Sequence, residues 1–192
     1  MTRPDIALTE SEVSEFLDNG RNLQVATLGR DGYPHLTALW YVVVDGLIAF
    51  RSFRKSQRVA NLRSDPRLTV LMEDGDSVVN LRGVKIQGRA RLVDDRDLAL
   101  HLYGEVTEKY EGMRVEPEGW DAVFGVWADK NMAILVEPDR IATWDHTKWV
   151  RQGKIAATKG RAITPIVLAR RAGHRLRVYV SISHPVRLPS HV

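Results

Sequence analysis

The chain has 192 residues, 44% of them hydrophobic and 27% charged, with a formal net charge of +4 and no cysteine. This composition suits one soluble globular domain and excludes disulfides, thiolate nucleophiles and cysteine-bound metals. No apolar run nears the roughly 18 residues of a membrane span, and Met1-Thr2-Arg3-Pro4-Asp5 lacks the apolar core of a signal peptide, so a cytoplasmic protein is expected.

Thr9-Glu10-Ser11-Glu12 has capping-box spacing, and Val13, Phe16 and Leu17 fall on one face, which predicts an amphipathic helix over residues 10–18, ended by Asn19-Gly20 and plugging one end of a sheet. Alternation from Asn22 to Leu28 predicts a strand with Leu23, Val25 and Thr27 on one side, and Gly29-Arg30-Asp31-Gly32 a turn. Pro34 to Val44 reads as one long strand rich in β-branched and aromatic residues, Asp45-Gly46 as a tight hairpin, and Leu47 to Arg51 as the returning strand. Lys55 to Arg63 reads as a helix with Val59 and Leu62 inward, stopped at Asp65-Pro66 because a residue before proline is pushed out of the α region.

Arg67 to Met72 is a further strand, Asp74-Gly75-Asp76 a turn, and Val78 to Val93 a long strand interrupted at Gly83 and Gly88, where bulges or barrel corners are expected. Five strands in meander order with a helical insertion suggest a small closed or nearly closed barrel. Asp94-Asp95 caps a helix through about Tyr110, a polar loop and a short helix from Trp120 to Trp127 follow, and two final strands, Met132–Val136 and Asp139–Trp144, flank Glu137-Pro138. The fold class expected is mainly β with α: an antiparallel barrel with a few peripheral helices, over residues 1–150.

Residues 151–192 differ in character. They carry nine Lys or Arg and no acid, whereas residues 1–150 hold 19 of the 28 bases against all 24 acids. The body is therefore acidic, any attraction to nucleic acid belongs to the basic C-terminal extension alone, and nucleic acid is not the partner expected for the body. This extension reads either as a hairpin across Ala172-Gly173-His174 or as a disordered arm.

The candidate site lies at the junction of the strand ending near Arg51 and the helix beginning near Lys55. Arg51, Ser52, Lys55, Ser56, Gln57 and Arg58 bring cations, hydroxyls and free helix N–H groups to one place, which is how proteins hold a phosphate. The bland reading is a solvated basic turn. Position favours the clamp, because the neighbouring strand with Thr37, Ala38, Leu39 and Trp40 offers small residues and main-chain groups to the rim of a flat heterocycle. The six histidines show no metal-ligand spacing, so no metal is expected, and the Gly-rich Rossmann, P-loop and nucleophile-elbow motifs are missing from the sequence. Trp144-Asp145-His146-Thr147-Lys148-Trp149 reads either as an aromatic-anchored terminus or as a wall of the pocket across a subunit contact. No catalytic acid or base stands out.

The run from Leu23 to Thr37, the strand through Tyr41, Lys55-Ser56-Gln57-Arg58, Asn61 to Arg67 and the strand containing Gly88 resemble the pyridoxamine 5′-phosphate oxidase-like split β-barrel superfamily, of the FMN-binding type. Within it, Leu36 to Tyr41 and the Trp144-Asp145-His146-x-Lys148 ending are most similar to oxidoreductases that use coenzyme F420, an 8-hydroxy-5-deazaflavin. The match spans about residues 8–149. The resemblance implies a homodimer with cofactor sites at the subunit interface, a ring against the strand from Thr37 to Trp40, Arg51 and Ser52 near the ribityl and phosphate region, and Ser56, Gln57 and Arg58 at the phosphate. It implies hydride transfer between F420, or alternatively FMN, and a small unsaturated or carbonyl substrate. Gln57 stands where the phosphate oxidases proper carry arginine, and their C-terminal arginine motif is not evident, which argues against vitamin B6 oxidation. A flavin or haem binding module without turnover, and a nucleic-acid binder using the tail, are the competing classes.

Overall fold

A computed structural model describes residues 6–151, so the expectations for residues 152–192 lie outside the described residues. Helix α1 (Glu10–Asn19) starts at Thr9, whose hydroxyl accepts the Glu12 N–H while the Glu12 carboxylate accepts the Thr9 N–H, the capping box expected. Phe16 and Leu17 on its inner face join the barrel core. Gly20 ends the helix for want of space rather than for conformational freedom: its backbone is extended at φ −68°, and a Cβ there would collide with the Met72 sulfur.

Strands β1 (Leu23–Leu28), β2 (Pro34–Leu39), β3 (Val42–Val44), β4 (Leu47–Phe53), β5 (Arg67–Asp74), β6 (Arg82–Val93) and β7 (Asn131–Asp145) form one antiparallel sheet of order β2-β1-β5-β6-β7-β4-β3. Three expectations change. Pro34 to Val44 is two strands, not one: β2 pairs with β1 and β3 with β4, so the order is not a meander. The cause is Trp40-Tyr41, whose side chains leave in opposite directions. Tyr41 is fully buried and donates to the Leu17 carbonyl at 2.6 Å, whereas Trp40 stacks at 4.7 Å on Tyr110 of α3 (Arg96–Glu111).

The second change concerns β6, which begins at Arg82 rather than Val78, because residues 78–80 close a turn in which Ser77 and Asn80 bond to each other. Its bulge lies at Gly88, where Gln87 pairs with Arg140 but Gly88 with Pro138, leaving Asp139 as the extra residue. No register shift occurs at Gly83, which instead makes room for the Trp144 ring. Thirdly, Glu137-Pro138 does not divide two strands: the proline sits at that bulge, where a missing ladder donor is tolerated, and β7 runs through it. The Asp45-Gly46 hairpin is as expected, with φ of 51° and 75°.

The strand order explains why the sheet is a split barrel. Its two edge strands, β2 and β3, are consecutive in sequence and joined only by residues 40 and 41, a gap the chain can span over at most about 11 Å. The sheet must curl until its edges nearly meet. Phe50, Ile48, Leu23, Val25, Val59, Val70, Val84 and Ile134 fill the interior, and Ala49, Ala133 and Leu135 on the other face pack against Leu102 and Val106 of α3. Helix α4 (Trp120–Ala128) packs on α3 through Phe124 and Ala128.

The closing segment, with α5 (Thr147–Arg151), fastens the N-terminus to the barrel. Asp145 N–H donates to the Ile6 carbonyl at 2.8 Å, Leu8 N–H to the Thr143 hydroxyl at 2.9 Å, and the Lys148 ammonium reaches both Ala7 O and the Glu12 carboxylate at 2.6 Å.

Candidate functional site

The two edges leave a seam. The β3–β4 ladder ends at Val42 and Ala49, so beyond Ala49 strand β4 has β7 on one side only and an open main-chain edge on the other. Helix α2 (Gln57–Ser64) starts beside that edge. Ser56 is its N-cap, accepting the Val59 N–H at 3.3 Å, and Val59 and Leu62 anchor its inner face in the core. Lys55 is thus in the turn before the helix rather than its first residue, exposed and without a hydrogen bond or ion pair among the described residues.

Arg58, one turn into α2, spans the seam. Its guanidinium donates to Ser52 Oγ of β4 at 2.9 Å and to Thr37 Oγ1 of β2 at 2.5 Å, while Ser52 and Ser56 hydroxyls lie 2.9 Å apart. Its Nε is buried with no partner, and it forms no ion pair among the described residues. Partial burial pushes its pKa below the ordinary arginine value, as expected of a cation that loses part of its hydration without gaining a counter-charge. An anion placed here would supply both the missing acceptor and the missing charge.

Strand alternation also brings to the seam a residue not expected there, His35. His35 and Thr37 share a face of β2, and the His35 Nδ1 is likewise buried without a partner. It lines a cleft of about 410 Å³ with Arg30, Tyr33, Gln57 and Asn61. Gln57 donates to the Asn61 side chain at 2.7 Å, and Asn61, almost wholly buried, donates to Thr27 Oγ1 at 3.0 Å, so the Gln57 amide is held in place from the core. A larger cleft of about 460 Å³ lies on the outward sheet face by Leu28, Thr69 and Gly88. Its charged groups are already paired, Arg67 with Asp65 and Asp139 with Arg89, so it offers less chemistry than the seam.

Of the residues expected at the site, Thr37, Ser52, Ser56 and Arg58 form one hydrogen-bonded group, with Lys55 and Gln57 at its rim. Leu39 is packed against the barrel core, and Ala38 faces outward. Arg51 and Trp40 point elsewhere. Strand alternation turns Arg51 away from Ser52 and onto the Tyr103 ring, 3.8 Å from its centroid, and Trp40 lies on Tyr110.

The pyridoxamine 5′-phosphate oxidase family model matches residues 9–145. Among solved structures, a conserved hypothetical protein of Mycobacterium tuberculosis is 35% identical, with 85% of this chain and 99% of that one covered at a TM-score of 0.75. A protein described as an F420 reductase is 22% identical over 67% of this chain and 94% of its own, with a TM-score of 0.53. A haem storage protein of Vibrio cholerae is 17% identical over 71% of this chain and 93% of its own, also at 0.53, so these two share the fold alone. No curated protein matches the sequence.

Proposed function

The chain belongs to the pyridoxamine 5′-phosphate oxidase family, and from that membership we propose that it is an oxidoreductase using a deazaflavin of the F420 type, with FMN as the alternative, to reduce a small unsaturated or carbonyl compound. The observation that carries this reading is the half-buried Arg58 at the seam, with its buried, partnerless Nε and the partnerless His35 Nδ1 on the neighbouring strand. Those atoms fit a phosphate. Arg58 and Lys55 supply charge, Ser52, Ser56 and Thr37 supply hydroxyls, Gln57 supplies an amide, and the first turn of α2 supplies free N–H groups with a favourable dipole.

A deazaflavin, when bound, supplies two-electron hydride transfer. The protein's part is position and field. The open edge of β4 beyond Ala49, including the Arg51 main chain, and the β2 segment from Thr37 to Trp40 lie where a flat ring extending from that phosphate would find main-chain partners. Arg58, braced from both edges of the seam, holds the anion at a fixed distance from them.

We also propose a two-fold homodimer. The outward face of β2, β1, β5 and β6 carries rows Leu36, Ala26, Thr69, Gln87 and Ala38, Gln24, Leu71, Lys85, with one charge in eight residues, and Leu36 is 63% exposed. So uncharged a sheet face suits burial against a second copy.

Titration of the purified full-length protein with F420 and with FMN, followed by fluorescence and absorption, tests the reading. Saturable F420 quenching with weaker FMN binding is expected. FMN copurifying in stoichiometric amount transfers the assignment to the alternative cofactor, and a Soret band with no binding of either overturns the oxidoreductase reading.

A further inference from the structure

On the α3 side of β4, the side chains that point away from the seam assemble a second constellation. Trp40 stacks on Tyr110 with planes 19° apart, keeping 45% of its surface exposed. Tyr110 is itself fixed, since its hydroxyl donates to the Tyr41 carbonyl and accepts the Tyr41 N–H, both at 3.1 Å. Tyr103 lies two turns earlier on α3, and the central carbon of the Arg51 guanidinium lies over it, 3.8 Å from the ring centroid. Arg51 is near enough for its charge to act on the Tyr110 phenol too.

Three cations surround these rings. Arg21 sits 5.2 Å over Tyr110 and donates to its carbonyl at 2.9 Å, and the Lys109 ammonium sits 4.1 Å from the Tyr41 ring and bonds the Leu17 carbonyl at 3.3 Å. Among the described residues, Asp18 is the carboxylate whose field reaches Lys109 and Tyr41, and none of the three cations forms an ion pair. Of the three, Arg51 is the one with no carbonyl partner among the described residues. It is half-buried, yet its planar fork of N–H donors has no hydrogen-bond acceptor among the described residues, only the Tyr103 π face.

We propose that this patch binds a planar organic carboxylate, with Trp40 as the stacking platform and Arg51 as the anion's bidentate partner. The inference rests on the seam reading, because it names the class of substrate that would be offered to a cofactor held there: Trp40 directly follows the β2 residues, and Arg51 lies on the open edge of β4, between which that cofactor's ring would extend. A flat conjugated acid suits the constellation for separate reasons. Its π system matches the exposed indole face, and its carboxylate matches the planar fork of donors on a guanidinium that has no acidic partner among the described residues.

The test uses full-length protein and a defined probe pair, trans-cinnamate and its uncharged amide, measured by isothermal titration calorimetry. Wild type should bind the acid about 10-fold or more tightly than the amide, since the charge-assisted bonds to Arg51 are lost with the charge. Arg51→Gln should abolish that preference, Arg51→Lys should restore part of it, and Trp40→Leu should weaken acid and amide alike. Arg63→Ala, which removes an exposed cation of α2 outside both groups, should leave all of these values unchanged. Equal binding of acid and amide by wild type, or a preference that survives Arg51→Gln, overturns the proposal, and the wild-type comparison holds even where a variant folds poorly. F420 titrated in parallel separates the two readings: cinnamate binding that depends on Arg51 without any F420 binding refutes the cofactor alone, and the reverse refutes the patch alone.

Discussion

Replacing Arg58 with alanine should cost both stability and ligand affinity, whereas replacing Lys55 should cost affinity alone. Arg58 donates from a charged group to Ser52 and Thr37, which lie on the two sides of the seam. Bonds of that kind contribute roughly 1.5–3 kcal/mol each, but the substitution also removes a desolvated, partly unsatisfied cation. The Ser52 hydroxyl keeps its contact with Ser56, so the net loss should be about 1–2 kcal/mol. For a chain of this size that lowers the thermal midpoint by about 2–8 °C. Ligand at 100 times its Kd should add about 2.7 kcal/mol to the wild type. In the variant the same concentration should add at least about 1.4 kcal/mol less, the equivalent of a 10-fold weaker Kd. Lys55→Ala, at an exposed turn residue, should melt with the wild type when free of ligand and show a reduced gain with it. Thermal melts of the three proteins with and without F420, FMN and inorganic phosphate make the measurement. An Arg58→Ala protein that melts with the wild type, and is stabilised equally by the same ligand, would mean the seam is only a polar closure of the barrel.

Leu36→Asp places a carboxylate in the middle of the uncharged outer face and should convert a dimer to monomers in sedimentation at micromolar concentration; an unchanged sedimentation coefficient would remove that face from the interface. The Lys148 ammonium holds the Glu12 carboxyl at about 2, against an ordinary value of 4.5. A depressed carboxyl stabilises the fold above its unfolded value and loses that contribution as pH falls through its folded one. Wild type should therefore exceed Lys148→Met in thermal midpoint above about pH 4.5, with the gap closing toward pH 2, and a gap independent of pH would show that Lys148 acts through its Ala7 contact alone.

Much of the fold was legible in the chain because the signals are local. The Thr9 capping box, the positive-φ pair Asp45-Gly46, the helix stop at Asp65 and the Leu23, Val25, Thr27 alternation each depend on residues within a few positions of one another. The hydrogen-bonded group at the seam was legible for the same reason, since Ser52, Ser56 and Arg58 lie within seven residues, at a strand end and a helix start. Thr37 was found by its strand, while His35 was reachable by the same alternation and was missed because a lone histidine on a strand carries no metal or catalytic spacing. What only the tertiary structure decided was where the long strand divides and which way its residues point. A continuous β-favouring run from Pro34 to Val44 has the same propensity whether it stays straight or crosses the barrel. The break at Trp40-Tyr41 is imposed by a cavity waiting for Tyr41 between α1 and β5, and by the Tyr110 ring waiting for Trp40 on α3. Likewise the pairing of β1 with β5 joins residues some forty positions apart, and Arg51 parts from Ser52 only because β4 has a barrel on one face and a helix on the other. Such choices depend on burial and contact between distant segments, which no local pattern encodes.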